Sequence, residues 1–300
     1  MNTAIALIGY DRPKYFGQVL ASIARNPEAK DWPLFVFLDG PAGAEQDEQA
    51  RAVALSDIAN PYVVQYDGNV GCGLNIIMAR QYLFDRLEFD RVFIMEDDLV
   101  ISPHYFGLVS RLMDWCEAEY SDIGVVQGYW HCRENVDWKR QHLADVATGN
   151  PHWWGYLMTR PAWNAISPMM MEYAGMFLQG RPYWQRDEVG IRIWARSKLL
   201  AWDGRYRGER QFPHHWREHY NYWQRTEHPL PASGQDGMTA LSLQVAGLKK
   251  VCTVVNRGVN IGASGMHTNA ASWQRNRMDE IKLDVFDEDK TLSEFEVVEA

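Results

Sequence analysis

Two periods of hydrophobic patterning organise the first 120 or so residues. Four short runs are apolar almost throughout: "TAIALIGY" from Thr3, "PLFVFLDG" from Pro33, "YVVQYDG" from Tyr62 and "RVFIMEDD" from Arg91. Between them, apolar positions recur every three or four residues, the spacing of a helix face. "PKYFGQVLASIAR" sets Phe16, Val19, Leu20 and Ile23 on one such face, and Pro13 starts it, where a missing N–H costs nothing. "AEQDEQARAVALSDIA" and "HYFGLVSRLMDWC" also read as helices, and "NIIMARQYLFDRL" keeps Ile76, Ala79, Leu83 and Leu87 in register. Strands apolar on both sides, alternating with helices, predict an α/β fold: a mostly parallel sheet with helices on both faces.

Past residue 125 the pattern loosens. "DIGVVQGY" reads as a strand, "WWGYLMTRPAWNAI" as a strand running into a helix, and "DGMTALSLQVAGLKKVCTVVNRGVNIG" as a helix and then a strand. Residues 180–235, rich in Trp, His, Arg and Pro, show no clear period and predict an irregular lobe or lid. The last stretch, "FDEDKTLSEFEVVEA", reads as an acidic tail, flexible at its end. The whole is expected to be one domain over 1–300, with a first half over 1–125, a second over 126–285 and the tail over 286–300.

Composition narrows the function. Three hundred residues with 46% apolar content suit a single large core. The 13 Trp and 14 Tyr also suit a cleft that stacks on sugar rings or bases. A net charge of −9 argues against nucleic acid as a partner, since displacing counterions needs a basic surface. The 4 cysteines are scattered with no C-x-x-C pair, which argues against a disulfide scaffold or a zinc ribbon. The leading apolar run is too short for a signal or a membrane span, so the expected location is cytoplasmic, with peripheral attachment at the inner face of a membrane left open.

In open α/β sheets ligands bind beyond the carboxyl ends of the strands. Asp11, Asp39, Asp67 and the triplet Glu96, Asp97, Asp98 all fall there. Three adjacent anions at the end of a buried strand need a positive partner. A hard divalent cation, Mg²⁺ or Mn²⁺, shared with substrate phosphates meets that need. The competing reading is a solvated acidic turn with Asp98 capping the next helix.

The motifs "IGYDRPKYF", "FVFLDG", "MARQYLF" and "EDDLVISPHYF", in this order, resemble nucleotide-sugar-dependent glycosyltransferases of the GT-A fold, a Rossmann-like architecture. The likeness is nearest to the N-acetylglucosaminyltransferases of N-glycan branching and O-mannose extension. "NVGCG" at 69–73 is similar to a segment of bacterial hemolysin-like glycosyltransferases. The likeness covers residues 3–165 and resumes over 235–268. It implies that 1–125 binds the nucleotide sugar, that the triplet is a form of the DXD motif, and that 126–285 forms an acceptor and catalytic half. Arg12 would approach the donor diphosphate and Asp39 the base; Glu96 would face the sugar, Asp97 the ribose, and Asp98 would ligate the metal. Two bland alternatives stand beside this: Arg12 pairing with a nearby carboxylate, and Asp39 serving only the "DG" turn.

An inverting transfer also needs a carboxylate base for the acceptor hydroxyl. Asp236 and the pair Asp187 and Glu188 each stand at a predicted helix start, where an acid is favoured as a cap in any case. Only Asp236 is followed by the helix, strand and glycine-bearing loop with a His that the resemblance implies, so it is preferred. His267, after "GASG", is a possible metal or diphosphate contact, set against an ordinary structural histidine. "HHWREH" at 214–219 matches the H-x-x-E-H pattern of zinc peptidases, but its surroundings support only a short helix. Trp153 and Trp154 are candidates for stacking on sugar, with core packing as the alternative; Trp130, Trp184 and Trp202 are similarly open. Together these features predict metal-dependent, inverting transfer of a sugar, with an N-acetylhexosamine among the candidates, from a UDP-sugar to a glycan, glycolipid or glycoprotein hydroxyl. The rival classes are a nucleotidyltransferase, which would want a glycine-rich basic loop after the first strand, a non-catalytic carbohydrate-binding protein, and the peptidase.

Overall fold

Alternate residues of the buried strands enter two different cores. Along β1 (Thr3–Gly9), Ala4, Ala6 and Ile8 face one apolar cluster while Ile5 and Leu7 face another. The same division runs through β2 (Leu34–Leu38) and β4 (Arg91–Glu96), as the period of two in a strand requires. Both faces are therefore covered, which is why these strands are apolar without alternation. This is the fold of a computed structural model that describes residues 1–41, 43–58, 61–150, 152–181, 185–201, 233–264 and 269–299.

The first half alternates as the sequence predicts, with α1 (Pro13–Ala24), α2 (Ala44–Ala54), β3 (Tyr62–Gln65), α3 (Cys72–Gln81), β5 (Leu99–Ile101) and α4 (Tyr105–Glu119). The second half adds β6 (Ile123–Gln127), α5 (Val136–Gln141), β7 (Asp145–Ala147), β8 (Tyr156–Thr159), α6 (Arg160–Tyr173), α7 (Glu188–Ala201), α8 (Gln235–Ala246), β9 (Lys249–Thr253), β10 (Gly258–Asn260) and β11 (Glu296–Val297). The nine-stranded sheet has the order β11-β7-β9-β6-β8-β4-β1-β2-β3, so one sheet runs through both halves. Five of its pairings are parallel and three antiparallel, all three involving β7 or β8. No helix among the described residues is long and apolar enough to cross a membrane.

The structure alters several local expectations. Asp98 caps no helix: the chain turns at Asp97 and Asp98 into β5, which pairs antiparallel with β10, and α4 starts only at Tyr105. Leu87 leaves the face of Ile76, Ala79 and Leu83, because a wider π-type turn over Tyr82–Arg86 shifts the register after α3. The stretch read as irregular contains α7, at the helix start expected for Asp187 and Glu188; its extent escaped because exposed Val189 and Ile193 mask the buried stripe of Ile191, Ala195 and Leu199. The end of the chain is no loose tail. Phe295 is buried, β11 pairs with β7, and Asp289 forms a buried ion pair with Arg257 at 2.8 Å.

Candidate active site

The carboxyl ends of β1, β2 and β4 open into a cavity of about 520 Å³. Tyr10, Asp11 and Arg12 reach it from the end of β1, Asp39 from β2, and Glu96, Asp97 and Asp98 from β4. The start of α3 contributes Cys72 and Asn75, the start of α8 Gln235 and Asp236, the loops of the second half His131, His152 and Trp154, and the end of β10 Asn260.

The counter-charge of the acidic turn is Arg12. One guanidinium nitrogen reaches Asp98 at 2.9 Å, another pairs with Asp97, and Nε reaches the second Asp97 oxygen at 3.4 Å. Burial works against the Arg12 charge, but Asp98 and Asp97 outweigh it and hold its pKa above the ordinary value. Asp97, 4% exposed, is pushed up to about 6 by burial, against the opposing pull of Arg12 and with Asp98 adding to the rise. Asp98 is held from the far end of the chain as well. Asn260 donates to its Oδ1 at 3.2 Å, and the Ile261 amide donates to its backbone carbonyl at 2.7 Å.

Asp39 is saturated by its own neighbourhood. Its carboxylate accepts from the amides of Gly40 (2.9 Å), Val70 (2.7 Å) and Gly71 (2.9 Å) and from the Asn69 side chain (3.2 Å). It fastens the loop before α3 and thereby fixes where that helix begins. Gly71 stands at φ 81°, a conformation that favours glycine. A Cβ on Gly73 would lie 3.3 Å from Cβ of Gln235, so its absence lets α8 approach α3 closely. These two positions explain the "NVGCG" segment.

Of the candidate bases, the structure brings only Asp236 to the cavity. Burial raises its pKa to about 6, opposed by the buried cations Lys250 and Arg80. Glu96 is raised well above the usual carboxylate range by burial, then by Asp236 and the two neighbouring aspartates. Asp236 has two cations set against its burial and Glu96 only Arg12. The surroundings therefore favour a charge on Asp236 over one on Glu96. Asp187 and Glu188 are exposed: Asp187 accepts from the Gly190 amide at 2.8 Å, and Glu188 lies 3.6 Å from Arg186 and 3.9 Å from Arg192.

Trp154 lines the cavity, half-buried, and stacks on His152 with ring centroids 4.4 Å apart. His131 extends the wall at 4.1 Å from His152. Burial lowers the pKa of both imidazoles, that of His152 to about 3, so the wall is planar and uncharged at neutral pH. Trp153 is 3% exposed and belongs to the core, where Lys250 lies over its ring at 4.2 Å. Trp130 is half-buried and lies outside the cavity lining, and Asp67 is exposed and also outside it. His267, the 214–219 segment, Trp184 and Trp202 lie outside the described residues.

Sequence reasoning missed His131, His152 and the cavity residues Trp273, Asn276 and Met278 of the C-terminal segment. None belongs to a motif. It also gave no role to Arg80, although Arg80 stands in the "MARQYLF" motif, or to Lys250, whose only signal was a charge within an otherwise apolar pattern.

The donor atoms at the turn fit a hard divalent cation. Each carboxylate oxygen has two acceptor directions, so Asp98, engaged by one Arg12 and one Asn260 donor, keeps capacity toward the cavity. Among the described residues no three His, Cys, Asp or Glu side chains form a cation site by themselves. Substrate oxygens and water would have to complete the shell.

No family model matches the chain. In sequence it is similar to the alpha-1,3-mannosyl-glycoprotein 2-beta-N-acetylglucosaminyltransferase of Arabidopsis thaliana, at 24% identity over 186 residues. That match covers 55% of this chain and 39% of the plant enzyme, so the chain spans well under half of that relative. Among solved structures it is similar to S. aureus TarS 1-349 in complex with UDP-GlcNAc, at 16% identity and a TM-score of 0.38, over 55% of this chain and 47% of that one. It is also similar to the glucosyl-3-phosphoglycerate synthase of Mycobacterium tuberculosis in complex with Mn²⁺, uridine-diphosphate and phosphoglyceric acid. There the identity is 15% and the TM-score 0.35, over 54% of this chain and 57% of that one. The plant enzyme lies within the class that the sequence motifs resemble.

Proposed function

We propose that this chain transfers a sugar from a nucleotide-diphosphate sugar, a UDP-sugar by preference, to an acceptor hydroxyl with inversion at the anomeric carbon. The observation that carries the reading is the convergence of Asp236 with the Glu96–Asp98 turn and Arg12 in one cavity at the carboxyl ends of the sheet. The sequence likeness to the plant N-acetylglucosaminyltransferase supports it.

In this reading Asp236, ionised above a pKa of about 6, takes the proton of the acceptor hydroxyl as that oxygen bonds to the anomeric carbon. The bond from that carbon to the diphosphate breaks on the opposite face, and its electron pair leaves with the nucleotide. Arg12 exchanges carboxylate partners for donor phosphate oxygens, a contact its fork geometry suits. Glu96 faces a sugar hydroxyl, and Asp97 accepts from the ribose. Asp39 reaches the base edge only from the loop it already fastens. The flat face of Trp154 packs against the C–H face of a sugar. Asp98 would hold Mn²⁺ or Mg²⁺, which neutralises charge on the diphosphate when bound.

Titration calorimetry with UDP and a panel of UDP-sugars, with and without Mn²⁺, tests the donor reading. Binding of at least one nucleotide sugar is expected, and none under either condition would sink it. Asp236→Asn should keep donor affinity while transfer falls on the order of 100-fold or more. Glu188→Gln should stay active; the reverse pair of results would move the base to position 188.

A further inference from the structure

Two cations are buried behind the candidate base without a carboxylate in hydrogen-bond contact among the described residues. Arg80, on α3, has no exposed surface. Its guanidinium donates to the Tyr156 hydroxyl, to Thr239 Oγ1 at 3.0 Å and to Gln235 Oε1 at 3.4 Å, all neutral groups. Lys250, on β9, donates to Gln127 Oε1 at 3.0 Å and to the carbonyl of His152. A buried guanidinium with only neutral partners is costly unless an anion lies close behind them. Here the anion is one residue further on. With Oε1 turned to Arg80, Gln235 directs its amide N–H₂ to Asp236 Oδ1.

The geometry points to Arg80 and Gln235 as positioning residues for Asp236: the guanidinium fixes the orientation of the Gln235 amide, and the amide holds Oδ1 so that Oδ2 is left to meet the acceptor hydroxyl. The inference rests on the reading of Asp236 as the base. The amide cannot turn over, because its N–H₂ would then face the guanidinium and its carbonyl the carboxylate. Thr239 reinforces the arrangement from the next turn of α8, donating to the Gln235 backbone carbonyl at 2.8 Å. Close approach of the two helices at Gly73 is what brings Gln235 within reach of Arg80. The charged and titratable groups that act on this spot are Arg80 and Cys72 from α3, Glu96 from β4, Tyr156 from β8 and Lys250 from β9. Of these, Arg80 alone is linked to the Asp236 carboxylate through hydrogen bonds of a side chain.

The deciding arm of the test needs no substrate. Carboxyl-carbon NMR of ¹³C-labelled aspartate, with the Asp236 signal assigned by its loss in Asp236→Asn, gives the apparent pKa directly. In the wild type it is expected near 6. In Arg80→Met and in Gln235→Met it should rise by about one unit or more, since each removes a feature that favours the anion. Arg80→Lys retains the charge and should titrate nearer the wild type than Arg80→Met. In UDP-N-acetylglucosamine turnover with Mn²⁺, the acid limb of the rate profile should move up with the pKa while UDP affinity stays within about twofold. A purely structural role would lower the rate evenly across pH and leave the Asp236 titration in place. An unchanged pKa in both methionine variants overturns the inference. Should Arg80→Met fail to fold, Gln235→Met decides alone. Full activity in Asp236→Asn is a different result: it removes the base and leaves the titration to judge the hydrogen-bonded chain.

Discussion

Asp236 sits where its own charge is unwelcome. Burial lifts its pKa from 3.8 to about 6, and Lys250 and Arg80 offset only part of that. The sign of the stability effect follows. Near pH 4 the carboxyl is largely protonated in the folded chain and carries little charge penalty. As pH rises to about 6 the unfolded chain releases the proton while the folded chain holds it, so this group's contribution to stability falls. Above 6 the penalty stays constant. Asp236→Asn removes the charge, so it should melt a few degrees above the wild type at pH 7.5, with the curves closing toward pH 4.5. Scanning fluorimetry across that range checks it; a gap independent of pH would mean that charge burial is not the cause. The triplet was legible at this scale because adjacent acids after "VFIM" pose an electrostatic problem whatever the fold. The cation beside it was legible only as an alternative, Arg12 pairing with a nearby carboxylate, since Arg12 lies 85 residues from Asp97 in sequence.

At the scale of elements, the contact between α3 and α8 sets the geometry of the cavity floor. A side chain at position 73 would press on Gln235. Gly73→Ala meets a contact that can yield slightly, and Gly73→Val meets one that cannot. The valine variant should lose on the order of 1–3 kcal/mol by overpacking, read by urea denaturation. It should also lower transfer more than UDP binding, because the displaced residue adjoins Asp236 and not the acidic turn. The elements were largely legible: β1, β2 and β4 as apolar runs, and α1 as a stripe of four residues that are all buried. What escaped was local. A π-type turn after α3 takes Leu87 off its face, β5 and β10 are only three residues each, and the stripe of α7 is one residue wide. Short pairings leave too little periodicity to be read without their partner strand.

Across the whole molecule, the last residues hold the sheet edge and the acidic turn together. Arg257 is fully buried and paired with Asp289, Arg111 donates to the Leu292 carbonyl at 2.7 Å, and three residues after Arg257 stands Asn260, which grips Asp98. Asp289→Ala leaves a buried guanidinium without its anion and should cost about 3–5 kcal/mol, measured by chemical denaturation. Charged residues in "FDEDKTLSEFEVVEA" made this segment look solvated, since a single buried aspartate is indistinguishable in sequence from its exposed neighbours. The Asp236 side of the cavity was legible only through motif resemblance, because Asp236 lies 138 positions from Asp98, the nearest member of the triplet.

The tie between β5 and β10 also bears on synthesis. Asp98 leaves the ribosome early, and its grip at Asn260 follows only after 162 further residues have been made. A nascent chain therefore displays its acid cluster without the strand that orders it. In the proposed reading, nucleotide binding waits on the synthesis of residue 260, which spares the cell partial chains that would hold a nucleotide sugar without the means to use it.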